Sequence, residues 1–70
     1  MKRRDLVRRI ADRARQDGVT WEVKREGANH TLYSLGELTV PIPRHKEIGE
    51  KLALEIFKQC ASTLGDGWWK

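Results

Sequence analysis

Two histidines, His30 and His45, lie near cations: Lys24 precedes the first at a short distance in sequence, and Arg44 and Lys46 flank the second. A histidine titrates near neutral pH and both gives and takes protons. Set beside cations, that chemistry suits metal-independent cleavage of RNA. The ribose 2′-hydroxyl attacks the adjacent phosphorus, a base takes its proton, an acid protonates the departing 5′-oxygen, and a cation offsets charge on the phosphorane. Gly27, shortly before His30, marks a turn where a phosphate can approach the backbone closely. The plainer alternative for His30 is a surface side chain bonded to its loop. For His45 it is a helix N-terminal residue fixed by the preceding proline bend.

Both histidines, both prolines and two of the six glycines fall between Gly27 and His45, so a site that needs a titrating imidazole must use this stretch. Other chemistries lack their residues. The chain has no phosphate-binding glycine loop, no recognisable carboxylate pair, and no serine or cysteine with a base nearby in sequence. Cys60 is the only cysteine. It cannot form an internal disulfide, belongs to no cluster with metal-ligand spacing, and reads as a small apolar residue on a helix. No metal or cofactor is expected.

The elements that must position these groups follow from the apolar pattern. Leu6, Val7, Ile10, Ala11 and Ala14 repeat with helical spacing over residues 3–16, and Asp17-Gly18 stops the helix. Thr20 to Arg25 alternates as a strand, with Trp21 and Val23 on one face and Glu22 and Lys24 on the other. Thr31 to Tyr33 resumes the extended pattern, a turn at Ser34-Leu35-Gly36-Glu37 follows, and Leu38 to Ile42 forms a third strand. If Ser34 pairs with Leu38, His30 falls opposite Ile42; a slip of one residue would turn it to the other face. Pro41 marks an edge strand or a strand end, and Pro43 keeps Ile42 extended. A second helix is expected from Lys46 or Glu47 to Ala61, followed by a tail, residues 62–70, that contains Trp68 and Trp69. That tryptophan pair suits capping a thin core, binding a partner or stacking on bases.

The expected fold is therefore α+β: α1-β1-β2-β3-α2, a three-stranded antiparallel sheet with both helices on one face, in a single domain over residues 1–61. This topology is the one used by double-stranded RNA-binding domains. With 70 residues the core must be thin and the functional surface large. No apolar run approaches the roughly 20 residues of a membrane span, and the Met-Lys-Arg-Arg start leads into an amphipathic pattern. Cytoplasmic residence is the expectation.

Net charge is +4, and its distribution is uneven. Residues 1–17 carry seven basic and three acidic side chains, whereas residues 47–70 carry three basic and four acidic ones. A basic field on the first helix favours a polyanion such as nucleic acid, or an acidic protein partner. Its alternative is a solvated face in which Asp5 pairs with Arg9, and Arg8 with Asp12, at i, i+4.

The run Gly27-Ala28-Asn29-His30-Thr31-Leu32-Tyr33, then Leu38-Thr39-Val40-Pro41-Ile42-Pro43-Arg44-His45-Lys46-Glu47-Ile48 and Leu52 to Gln59, resembles the HicA toxin family over roughly residues 3–61. Its most specific part is Pro-Arg-His followed by a helix ending in Ile-x-Lys-Gln. The resemblance implies a fold like a double-stranded RNA-binding domain, metal-independent mRNA cleavage as the toxin of a type II toxin-antitoxin system, and neutralisation by a HicB-type antitoxin in a hetero-oligomer. It assigns the catalytic role to His30. In the family one small residue commonly separates the glycine from the histidine; here Ala28 and Asn29 both intervene. Gly27 matches the turn glycine, and Arg44-His45 matches the basic motif before the second helix. RNA is then expected to lie against Lys24, Gly27, Arg44, His45 and Lys46, with Arg4 and Arg8 contributed by the first helix. The rival readings are a non-catalytic RNA-binding module on the same scaffold and a protein-interaction domain whose basic face meets only an acidic partner.

Overall fold

Helix α1, Arg3–Gln16, buries Leu6, Ile10 and Ala14, which stand four residues apart and so form one stripe. Asp5 in its first turn and Arg13 and Arg15 in its last agree with the helix dipole. The helix closes in a Schellman motif. Gly18, at φ +69°, donates to the Arg15 carbonyl at 3.2 Å, and the Val19 amide donates to the Ala14 carbonyl at 2.8 Å. The computed structural model describes every residue, Met1–Lys70.

Strands β1 (Trp21–Glu26), β2 (His30–Leu35) and β3 (Leu38–Pro43) form an antiparallel sheet in the order β1-β2-β3. Pro41 accordingly sits on an edge strand, where a missing amide hydrogen is harmless. The β2–β3 register differs by one residue from the Ser34–Leu38 pairing. Leu35 faces Leu38, so His30 lies opposite Pro43. The cause is the turn: Gly36, at φ +60°, is the first of two loop residues, the position that a type II′ hairpin reserves for glycine.

A second local feature changes which residues face the helices. Pairing of β1 with β2 runs regularly from Trp21 to Val23, then shifts, so that Arg25 faces Leu32 and Glu26 faces Thr31. Lys24 is the extra residue of this β-bulge. Without it Glu26 would point with Glu22 to the outer face; the bulge turns it to the side of Trp21 and Thr31.

The second helix starts later than the periodicity suggests. Helix α2 spans Glu50–Gln59, preceded by an extended Gly49. Residues 46–48 instead pair with the beginning of the chain: the Arg3 amide donates to the Lys46 carbonyl and the Ile48 amide to the Met1 carbonyl, both at 2.8 Å, around a Lys2–Glu47 bridge. Those backbone groups are thereby satisfied outside a helix, and the pairing anchors Ile48 in the core.

Residues beyond 61 extend the domain rather than trailing from it. Ala61–Leu64 forms a single turn, α3, and Leu64 and Trp68 join the core. The Trp68 indole donates to the Phe57 carbonyl at 2.7 Å and packs edge-on against the Phe57 ring, centroids 5.1 Å apart. Of the three uses open to the tryptophan pair, core capping is the one Trp68 adopts. Trp69 is half-buried over Phe57.

Both helices cover one face of the sheet: Leu6, Ile10 and Ala14 of α1 and Ala53, Ile56 and Phe57 of α2 pack with Leu35, Val40 and Ile42 in one cluster. The fold is α+β, as expected. No helix is long and apolar enough to cross a membrane.

Candidate nucleic-acid interface

The basic field of α1 divides into two populations with different partners. Arg13 donates to the carbonyls of Trp68 and Leu64 at 3.2 and 3.4 Å and pairs with Asp17 at 3.1 Å. Arg9 donates to the Trp69 carbonyl and lies 5.5 Å above the Phe57 ring. These two arginines fasten the C-terminal segment. The i, i+4 pairs of the alternative reading, Asp5–Arg9 and Arg8–Asp12, do not form: Asp5 lies 3.7 Å from Arg4 and Asp12 lies 3.9 Å from Arg15, in both cases between exposed groups of little energetic weight. Arg8 is exposed and engages no carboxylate.

The second population is at the N-terminal end of α1. The Lys2–Glu47 bridge brings the start of the chain against the loop after β3, and Lys2, Arg3, Arg4, Arg44, Lys46 and Glu47 line one open cleft of about 650 Å³. Five cations around one carboxylate make a positive field focused by the surrounding low-dielectric surface. Arg4, Arg44 and Lys46 were expected at a polyanion surface. Lys2 and Arg3 join them only because the chain start pairs with residues 46–48.

Arg3 and Arg44 also line an adjoining cleft of about 480 Å³ with Glu26, Thr31 and Tyr33. Its floor is a hydrogen-bonded chain. Arg3 donates to the Pro43 carbonyl at 2.8 Å and to the Thr31 hydroxyl at 3.1 Å; that hydroxyl donates to Glu26 Oε1 at 2.8 Å. Arg44 donates to the same Glu26 oxygen at 2.8 Å and to the Ala28 carbonyl at 3.2 Å. The hydrogen bond from Thr31, then that from Arg44, holds the Glu26 carboxyl below its usual range. Arg44 thus ties the Gly27–Asn29 turn, and with it the entry to His30, to the loop after β3.

Gly27 fits tightly at this turn. Its amide donates to the His30 carbonyl at 2.8 Å, and a Cβ there would stand 3.1 Å from that oxygen. His30 is exposed and shares a sheet face with Leu32 and Ser34, opposite the side on which Thr31 and Glu26 lie. It lines neither cleft and has no side-chain hydrogen bond, but it occupies the same end of the sheet, two residues from the carbonyl that Arg44 holds. His45 is exposed on the loop between Arg44 and Lys46. Lys24 does not reach the cationic cleft; its ammonium bonds Thr39 Oγ1 at 3.1 Å across the outer face.

Comparison of the chain with protein-family models, with curated proteins and with solved structures finds no match.

Burial pushes the Cys60 thiol up to about 12, which keeps it protonated and unreactive. No group of three or more His, Cys, Asp or Glu side chains is placed to hold a metal ion. Sequence reasoning missed Glu26, Thr31 and Tyr33. Strand alternation puts Glu26 on the outer face, and a bulge at Lys24 leaves no signal in composition. Lys2 and Arg3 were visible only as members of the basic run.

Proposed function

We propose that this protein is a metal-independent endoribonuclease acting as the toxin of a toxin-antitoxin pair, with His30 as general acid or base and the cationic cleft as the seat of the RNA backbone. The observation that carries the reading is the convergence of Lys2, Arg3, Arg4, Arg44 and Lys46 in one cleft beside the turn that bears His30. Phosphate contacts from such a cluster supply affinity without reading sequence. For cleavage, a strand leaving the cleft across Arg44 and Ala28 must cross the rim of the sheet to meet the imidazole on its other face. The 2′-hydroxyl then attacks the adjacent phosphorus and the 5′-oxygen departs; His30 handles one of the two protons and solvent the other. An antitoxin of the HicB type would silence the protein by occupying this surface in a hetero-oligomer.

The test is incubation of purified protein with single-stranded RNA in EDTA. Wild type is expected to produce fragments ending in 2′,3′-cyclic phosphate. His30→Ala is expected to lose about 10²- to 10⁴-fold in rate while keeping its fold and its RNA affinity. Full activity in that variant would remove His30 from the mechanism.

One observation favours a second reading, a non-catalytic RNA-binding module: no side chain hydrogen-bonds to His30 to orient its ring. Binding without cleavage products in the same experiment would select it.

A further inference from the structure

Tyr33 projects from the middle strand on the helix side of the sheet, yet no helix covers it completely. Its ring lies parallel to that of Trp21, centroids 4.3 Å apart and planes within 2°. Trp21 stands opposite Leu35, two residues to one side of Tyr33, while Glu26 stands opposite Thr31, two residues to the other. A ring stacked on Trp21 therefore turns its second face toward Thr31, Glu26 and the smaller cleft, whose wall Tyr33 forms. Trp21 is the one aromatic partner of Tyr33, and neither Arg3 nor Arg44 stacks on its ring.

From this arrangement we infer that the smaller cleft seats one unpaired RNA base, stacked on the free face of Tyr33, while the phosphates on either side of it lie along Arg3, Arg44 and the cationic cleft. The inference rests on the RNA reading above and adds to it a subsite that only an unpaired base can enter. Glu26 makes the smaller cleft less cationic than the larger one, two guanidiniums to one carboxylate, and offers an acceptor to the hydrogen-bond donors that an uncharged base presents at its edge. The larger cleft, with five cations to one carboxylate, has the opposite preference. A base inside a duplex keeps its faces against its neighbours and cannot reach the Tyr33 ring, so duplex RNA gains only the phosphate contacts.

The experiment compares three ligands of equal length on the wild-type protein: a 2′-O-methyl single strand, which resists cleavage, the same backbone with abasic positions throughout, and a 2′-O-methyl duplex. Fluorescence anisotropy of a terminal label reads the affinity. The single strand is expected to bind between about 5-fold and about 150-fold more tightly than the abasic backbone, the range for one stacked base. Tyr33→Ala is expected to erase that difference and leave the abasic affinity unchanged, while Tyr33→Phe retains it. Because Tyr33 supports Trp21, circular dichroism checks that the alanine variant folds; if it does not, Tyr33→Leu and the wild-type comparison decide. Equal affinity for the base-bearing and abasic strands, or preference for the duplex, overturns the inference and leaves RNA binding standing. Failure of all three ligands to bind overturns the RNA reading as well.

Discussion

Replacing Lys2 and Lys46 together by glutamine measures how many phosphates the cationic cleft meets. Neither side chain engages a carboxylate, and both lie at the cleft wall, so the substitution removes charge without breaking a contact. Each phosphate neutralised on a single strand contributes about −0.7 to the slope of log affinity against log salt. Arg44 is already paired with Glu26, so five phosphates for the five cations is the upper limit: it sets a wild-type slope of about −3.5, and the three cations left in K2Q/K46Q a slope of about −2.1. Between about 50 and about 200 mM salt, affinity then falls roughly 130-fold for wild type and roughly 20-fold for the double variant. Anisotropy titrations with an uncleavable single strand at several salt concentrations give both slopes. The variant slope should be shallower by about 1.4. An unchanged slope would mean that the RNA path avoids this cleft, and a wild-type slope near zero would remove polyanion binding from the account.

Trp68→Ala should come close to unfolding the chain: truncating a buried tryptophan costs about 3–5 kcal/mol, comparable to what a core of this size supplies in total. Urea denaturation followed by far-UV circular dichroism checks it, and a loss under about 0.5 kcal/mol, the scale of ordinary surface changes, would contradict the packing of the indole against Phe57. Glu26→Gln should make stability less dependent on pH on the acid side. The folded carboxyl lies below its ordinary value of 4.5, so its contribution is complete above the unfolded-state value and disappears as pH falls through the lowered folded value. The stability gap between wild type and E26Q, measured by urea denaturation, should be constant near neutrality and shrink below about pH 4.5. Cys60 should resist a thiol-directed disulfide reagent at neutral pH until denaturant is added, because its burial raises the thiol to about 12; stoichiometric reaction in the native state would place it at the surface.

The sequence by itself determined the order α1-β1-β2-β3-α2, though not the turn α3 that follows it, because apolar spacing of three to four residues and of two are properties of neighbours along the chain. The stripe Leu6–Ile10–Ala14, the alternation Leu38–Val40–Ile42 and the breaks at Gly18 and Gly36 are legible in that way, as is the concentration of titrating groups between Gly27 and His45. Tertiary structure decided what those groups face. One extra residue at Lys24 rotates Glu26 from the solvent side to the helix side, and one residue of turn geometry at Gly36 moves His30 from Ile42 to Pro43. Side-chain direction has a period of two along a strand, so a single-residue event inverts it while leaving composition untouched. The cationic cleft depends on a contact between residues 2 and 47, the fastening of Trp68 on one between residues 13 and 68. Such long-range pairings have no counterpart in local periodicity. They gather Lys2, Arg3, Arg4, Arg44 and Lys46 at one end of the molecule and leave His30 on the other face of the sheet, across a rim held by Arg44.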